Sequence, residues 1–307
     1  MRLEGVHHVT AITGDAPGNV DFYARVLGLR LVKKTVNQDD PTVYHHFYAD
    51  ERGSAGSDIT FFEYPGARPG RAGAGMVHLV TWRVSSEESL DFWQRRLGAE
   101  GVSVERSPTR LRFRDPEGLG IELEVVETAD EPLVARHPEI APEVALEGFH
   151  GVRAYAEDAE RSRALLEPGL GFERRDEGWE VRGPRRGGLY AYDPPPPDRA
   201  IAGGGTVHHV AWAAPLEEHA AWRDRVAAAG ASPTPVIDRF YFRSIYFREP
   251  SGVLFEIASL GPGFAADEPL EHLGERLSLP PDYEPLRERL EGRLTQLPDP
   301  RADWALR

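Results

Sequence analysis

The pairs His7-His8 and His208-His209, together with Glu256 in the apolar run Val253-Leu-Phe-Glu-Ile257, are the residues in this chain best suited to hold a metal ion. Two imidazoles and one carboxylate on one face of an ion leave its other positions open, the arrangement of non-haem Fe(II) sites that take up substrate and O2 side by side. Neighbours on a strand point to opposite faces, so alternation predicts that at most one member of each pair reaches a common site. It does not choose which. Paired histidines at strand starts also occur as hydrogen-bonded core residues. What favours chemistry is that the two pairs stand at matching positions of an internal repeat and accompany a strand-embedded acid.

Composition narrows the alternatives. The 307 residues include no cysteine, which removes thiol nucleophiles, disulfides, zinc–thiolate sites and Cys-ligated clusters and leaves His and Glu as the strong ligands. With 36 Lys+Arg against 50 Asp+Glu and a net charge of −14, the chain lacks the basic footprint that nucleic acid or an anionic membrane surface requires. No run approaches the roughly 18 apolar residues of a membrane helix, and the opening Met1-Arg-Leu-Glu-Gly-Val has no apolar signal core; a cytoplasmic protein is expected. Only Lys33 and Lys34 are lysine. Two adjacent lysines in a chain that otherwise uses arginine point to a local need for a compact ammonium.

The elements that must position these residues come from the repeat. Gly5-Val-His-His-Val-Thr, Gly75-Met-Val-His-Leu-Val-Thr-Trp, Gly148-Phe-His-Gly-Val-Arg and Thr206-Val-His-His-Val-Ala-Trp open alike, and the reading equates His8, His78, His150 and His209. A helical stretch follows each opening. The first is capped by Asp15, striped by Val20, Tyr23, Val26 and Leu27 and stopped by Gly28; the others are Ser89–Leu97, Ala159–Leu166 and Leu216–Ala229. Two endings, Asp115-Pro-Glu-Gly-Leu-Gly-Ile-Glu122 and Glu249-Pro-Ser-Gly-Val-Leu-Phe-Glu256, align without gaps as a Pro-x-Gly hairpin turn and a strand. The expectation is an α+β fold of four βαβββ modules near 5–65, 75–127, 148–193 and 205–260, grouped as domains 1–140 and 141–307. An extension, 261–307, should carry a short charged helix near Tyr283–Leu294 that acts as a lid or an interface. One module cannot bury its own sheet face, so the modules should pair into two cupped mixed sheets. Gly203-Gly-Gly precedes a strand rather than a helix and reads as linker, not as a phosphate loop.

These runs resemble the vicinal oxygen chelate (glyoxalase/bleomycin resistance/dioxygenase) superfamily, and within it the ring-cleaving dioxygenases that open hydroquinones and chlorinated hydroquinones. Besides the His-His openings, Asn19-Val-Asp-Phe-Tyr-Ala-Arg-Val-Leu-Gly-Leu-Arg-Leu-Val-Lys-Lys34 and Asp238-Arg-Phe-Tyr-Phe-Arg-Ser-Ile-Tyr-Phe-Arg-Glu249 carry the likeness. It spans residues 5 to about 285, strong in modules 1 and 4 and diffuse in modules 2 and 3. The resemblance implies that His8, His209 and Glu256 bind the metal, Fe(II) with Mn(II) as an alternative, so that modules 1 and 4 share the metal cup. It implies that His7, Thr10 and His208 surround the ligands, and that Arg239 and Tyr246 line the oxygen and substrate side. Its partners would be a small aromatic diol and O2, with a homo-oligomer allowed. A glyoxalase-like isomerase would want a carboxylate from each paired module, but module 1 has Thr60 there. A metal-free binding protein of the same fold would need no acid–base groups around the site. His78, Glu122 and His150 offer a partner constellation in modules 2 and 3, for which the resemblance implies no metal.

Overall fold

The computed structural model describes residues 1–302 and Trp304. Module 1 supplies β1 (Val6–Thr13), β2 (Arg30–Asn37), β3 (Asp40–Ala49) and β4 (Asp58–Glu63). Module 2 supplies β5 (Val77–Val84), β6 (Glu105–Arg106), β7 (Arg110–Arg114) and β8 (Gly120–Val125). Module 3 supplies β9 (Phe149–Tyr155), β10 (Glu173–Arg175), β11 (Gly178–Arg182) and β12 (Gly187–Asp193). Module 4 supplies β13 (Val207–Ala214), β14 (Ile237–Asp238), β15 (Phe242–Arg248) and β16 (Leu254–Pro262).

In each module the last strand lies parallel to the first, an arrangement that needs a crossover between them. Antiparallel pairing of β1 with β13 and of β5 with β9 then joins the modules into two eight-stranded sheets, β14-β15-β16-β13-β1-β4-β3-β2 and β10-β11-β12-β9-β5-β8-β7-β6. Modules 1 and 4 therefore share one sheet, as the ligand set requires, and modules 2 and 3 share the other. One apolar core draws on both sheets, with Trp82, Trp93, Trp179, Trp212 and Trp222 fully buried. Gly5 sits where the sheets meet: its φ is +77°, and a Cβ there would stand 2.6 Å from the Gly187 carbonyl oxygen.

The crossovers follow their sequences. Asp15 accepts from Gly18 N at the start of α1 (Ala16–Val20), which widens into a π turn over Asp21–Val26. Ser86 caps α2 (Glu87–Ala99), and α3 (His219–Ala228) follows a 3-10 turn over Leu216–Glu218. Module 3 departs from expectation. Instead of a helix over 159–166 it has a 3-10 turn (Ala159–Ser162) and a π turn (Leu165–Gly169). Pro168 has no N–H for the α ladder, and the chain continues with the wider Leu170 N–H to Leu165 C=O bond. Among the described residues no helix is long and apolar enough to cross a membrane.

The lysine pair finds its use in the C-terminal extension, which lies along the edge strand β2. Ser278 N donates to the Lys34 carbonyl, and Lys34 Nζ donates to the Glu275 carbonyl at 2.8 Å. Lys33, with no exposure, donates to Asp267 at 2.7 Å and to Glu268, and its ammonium lies 4.8 Å from the centre of the Tyr241 ring. A compact point charge with three donors suits that spot better than a planar guanidinium. The charged helix expected near 283–294 is a turn over Glu284–Leu286 leading into α4 (Arg287–Glu291), with Leu290 packed on Val36 and Leu279. The extension thus covers a sheet edge that would otherwise offer unpaired backbone groups. Replacing Lys33 by Met leaves the buried Glu268 and the part-exposed Asp267 without their buried ammonium partner and should lower stability by about 3 kcal/mol, measured by denaturant unfolding; an unchanged midpoint would contradict this role.

Candidate metal centre

Strand alternation is interrupted at both histidine pairs, for a structural reason. Where β1 pairs with β13, the register passes from Val6↔Trp212 to His8↔Ala211, leaving out His7, and from Thr10↔His209 to Ala11↔Val207, leaving out His208. Each first histidine is the extra residue of a β-bulge, which kinks the strand and re-aims side chains. The expectation that at most one member of each pair faces the site holds at the first pair, where His8 lines the cavity and His7 sits behind it, its Nδ1 2.9 Å from His8 Nδ1. It is corrected at the second, where His208 lines the same cavity as His209.

His8, His209 and Glu256 are buried at the seam between modules 1 and 4. His8 Nε2 lies 3.2 Å from His209 Nε2, and Glu256 Oε2 lies 3.2 Å and 3.0 Å from those two nitrogens. A triangle of this size matches one face of an octahedron around a first-row ion bonded at ~2.1 Å, whose edge is about 3.0 Å. The hydrogen-bond chain behind it points the same way. His7 Nε2 meets the Ser259 carbonyl at 3.2 Å and must donate to it, so His7 Nδ1 accepts from His8 Nδ1–H and His8 Nε2 presents a lone pair. His209 Nδ1, 2.8 Å from His208 Nδ1, is supported in the same manner. Neither carboxylate oxygen of Glu256 receives a hydrogen bond despite complete burial. Three donor atoms thus converge on a point with nothing between them, which a divalent cation would satisfy.

Electrostatics keep the set ready for an ion. Burial by itself would raise the Glu256 carboxyl; the facing His8 and His209 outweigh it and hold it well below the usual carboxylate range. Burial lowers His209, and burial with the neighbouring His8 pushes His7 down to about 3, so both imidazoles are neutral near pH 7.

The triad lies at a cavity of about 530 Å³ walled by Phe47, Phe62, Tyr241 and Phe242, with lining residues from modules 1 and 4 only. None comes from the extension, so its expected role as a lid has no counterpart in the cavity wall. Thr10 bonds Thr60, not a ligand, at 2.9 Å. Tyr246 packs edge-on to His209, and burial raises its phenol above the ordinary range, so it keeps its proton. Arg239 lies over the Tyr246 ring and forms a two-pronged ion pair with Asp39, at 2.9 and 2.8 Å, between the β14–β15 and β2–β3 turns. Sequence reasoning missed His45, which lines the cavity with its Nε2 2.8 Å from Thr60 Oγ1. Burial, then the neighbouring His8, holds it well below the ordinary histidine range. The signal was present as a third pair, His45-His46, whose second member turns away to Asn19.

The second sheet repeats the backbone without the ligands. Val80↔Val152 and its flanking bulges reproduce Val9↔Val210, which makes His78 and His150 the counterparts of His7 and His208. The equation of His78 and His150 with His8 and His209 is thus off by one residue. The ligand places hold Leu79 and Gly151, and a Cβ at Gly151 would meet the Leu189 carbonyl oxygen at 2.2 Å, so no histidine fits. His78 instead bonds Asp193 at 2.9 Å and stacks on Tyr155, and Arg112 neutralises Glu122. Among the described residues only His8, His209 and Glu256 form a group able to hold an ion.

The family model for the glyoxalase/bleomycin resistance protein/dioxygenase superfamily matches residues 5–123 and 148–257. The chain belongs to this superfamily. Within it, the chain is 43% identical over 300 residues to MhqO of Bacillus subtilis, named as a candidate ring-cleaving dioxygenase, covering 94% of this chain and 95% of MhqO. It is 33% identical to the chlorohydroquinone/hydroquinone 1,2-dioxygenase of Sphingobium indicum, covering 94% and 95%. A crystal structure of a candidate dioxygenase from B. subtilis superposes with a TM-score of 0.89 at 40% identity, covering 97% of this chain and 98% of that one. Maize glyoxalase I, at 15% identity and a TM-score of 0.59, shares the superfamily fold alone.

Two outcomes follow for the superfamily site in this chain. Replacing His7 by Phe removes the acceptor that sets the His8 tautomer and should weaken divalent-metal affinity about 10–100-fold, read by competition with a chelator; unchanged affinity would contradict the chain of bonds. Because burial holds His209 below the ordinary value of about 6.5, protons compete with metal only below that pH. Metal content should therefore stay constant down to about pH 6.5 and fall on further acidification, and release already under way above it would contradict the burial argument.

Proposed function

We propose that this protein is a ring-cleaving dioxygenase that uses Fe(II), held by His8, His209 and Glu256, to open a hydroquinone-type aromatic diol with O2 in the cytoplasm. The observation that carries this reading is three metal-competent donors at an aromatic-walled cavity, with no fourth protein ligand in the group. Relatives that cover nearly the whole chain and are named as dioxygenases support it. The isomerase reading lacks its second carboxylate, since Thr60 bonds Thr10 and His45.

Bound iron would supply Lewis acidity and an electron path between ring and O2. The protein does the remainder. Phe47, Phe62 and Phe242 exclude water and bracket a flat ring, which holds the reactants together. His208, kept neutral because burial and His209 push it down to about 4, accepts from His209 Nδ1–H at its own Nδ1 and therefore carries its hydrogen on Nε2, a donor for an oxygen of the bound diol. Tyr246 lines the cavity with its phenol protonated, and Asp39 holds Arg239 above that ring, where its charge favours an anionic substrate.

Iron-loaded protein should consume O2 with hydroquinones, followed with an oxygen electrode. Replacing His208 by Phe removes the acceptor behind His209 and should weaken iron affinity about 10–100-fold, read by competition with a chelator, as for His7. Iron-loaded wild type that takes up no O2 with any dihydroxybenzene would overturn the reading.

A further inference from the structure

One cavity imidazole has no part in this account. His45, on β3, is wedged between Phe47 and Phe62, with ring centres 4.0 and 4.4 Å away, and its Nε2 lies 2.8 Å from Thr60 Oγ1. Thr60 Oγ1 in turn lies 2.9 Å from Thr10 Oγ1. Both threonines are fully buried, so the direction of the chain can be worked out by counting hydrogens. If His45 Nε2 donates to Thr60, the Thr60 hydroxyl donates to Thr10, and the Thr10 hydrogen is left in the interior with no acceptor among the described side chains. If Thr10 donates to Thr60, and Thr60 donates to His45 Nε2, every hydroxyl hydrogen is used. The second arrangement avoids a buried orphan donor. It fixes the tautomer: His45 carries its hydrogen on Nδ1. That nitrogen bonds no side chain or backbone group in the structure and is not among the buried unpartnered atoms, while the residue lines the cavity. The result is a neutral N–H donor, locked by two aromatic rings and two threonines, facing the space a substrate would occupy.

We propose that His45 is a substrate-contacting residue whose Nδ1–H donates to the oxygen of the diol that is not engaged by the metal group. His45 contacts the Thr60 hydroxyl and two rings rather than any of the three ligands, so it serves the far hydroxyl and makes the site select a diol over a monophenol. The inference rests on the hydroquinone reading above.

The test compares hydroquinone with 4-methylphenol, in which a methyl group replaces the far hydroxyl. Binding of each to Fe(II)-loaded protein is measured anaerobically by titration calorimetry, so no turnover is needed. Wild type should bind hydroquinone about tenfold more tightly. His45→Phe should erase that ratio by weakening hydroquinone alone. Thr60→Val, which keeps the imidazole but releases its tautomer, should shrink the ratio about two- to threefold. An unchanged ratio in His45→Phe, or equal weakening of both ligands, overturns the proposal. Should His45→Phe fail to fold, Thr60→Val decides: a smaller ratio supports the assignment and an unchanged one overturns it. Wild type that binds neither phenol removes the hydroquinone reading itself, whereas hydroquinone binding with an indifferent His45 removes only this inference.

Discussion

Glu256 is an ionised carboxylate with no solvent exposure, and the architecture around it exists to make that tolerable. A lone buried charge is so costly that a protein ordinarily neutralises it. Here a divalent cation is the natural partner for the carboxylate and for the lone pairs of the two facing imidazoles. None of the three is brought in by a mobile loop: His8 and His209 sit on the paired strands β1 and β13, and Glu256 sits beside them on β16, opposite Ala211. The cation site is therefore as rigid as the sheet, which is what a constellation that must hold ligand atoms to within a fraction of an ångström requires.

The bulges are the device that turns a plain ladder into this site. Each places an extra histidine beside a ligand, where its Nδ1 can support the ligand's orientation. The second sheet keeps both bulges yet fills the ligand places with Leu79 and Gly151, and ion pairs such as Arg112–Glu122 and Arg153–Asp193 occupy its face. Backbone geometry and metal chemistry are separable in this fold: the same ladder carries a candidate cation centre in one sheet and a salt-bridged surface in the other.

Much of this could be read in the sequence, because repeat openings and Pro-x-Gly endings are local signals. The four modules, the crossover helix over 87–99 and the placing of Glu256 on a strand four residues past Gly252 all depend on short-range chemistry. Three features were out of reach for physical reasons. A bulge is a property of strand pairing, so two-residue alternation misjudged the second histidine pair and shifted the alignment of His78 and His150 by one. His45 acquires meaning only through Thr60 and Phe62 on the next strand. Lys33 stood out by composition, but its partners Asp267 and Glu268 lie more than two hundred residues away, in an extension whose own pattern is weak.

One first-row divalent ion is expected at the seam of modules 1 and 4. Anomalous diffraction at the iron edge from crystals grown anaerobically with Fe(II) should show a single peak within bonding distance of His8 Nε2, His209 Nε2 and Glu256 Oε2. A peak beside Glu122 in the second sheet, or an empty triad in iron-saturated crystals, would contradict that placement.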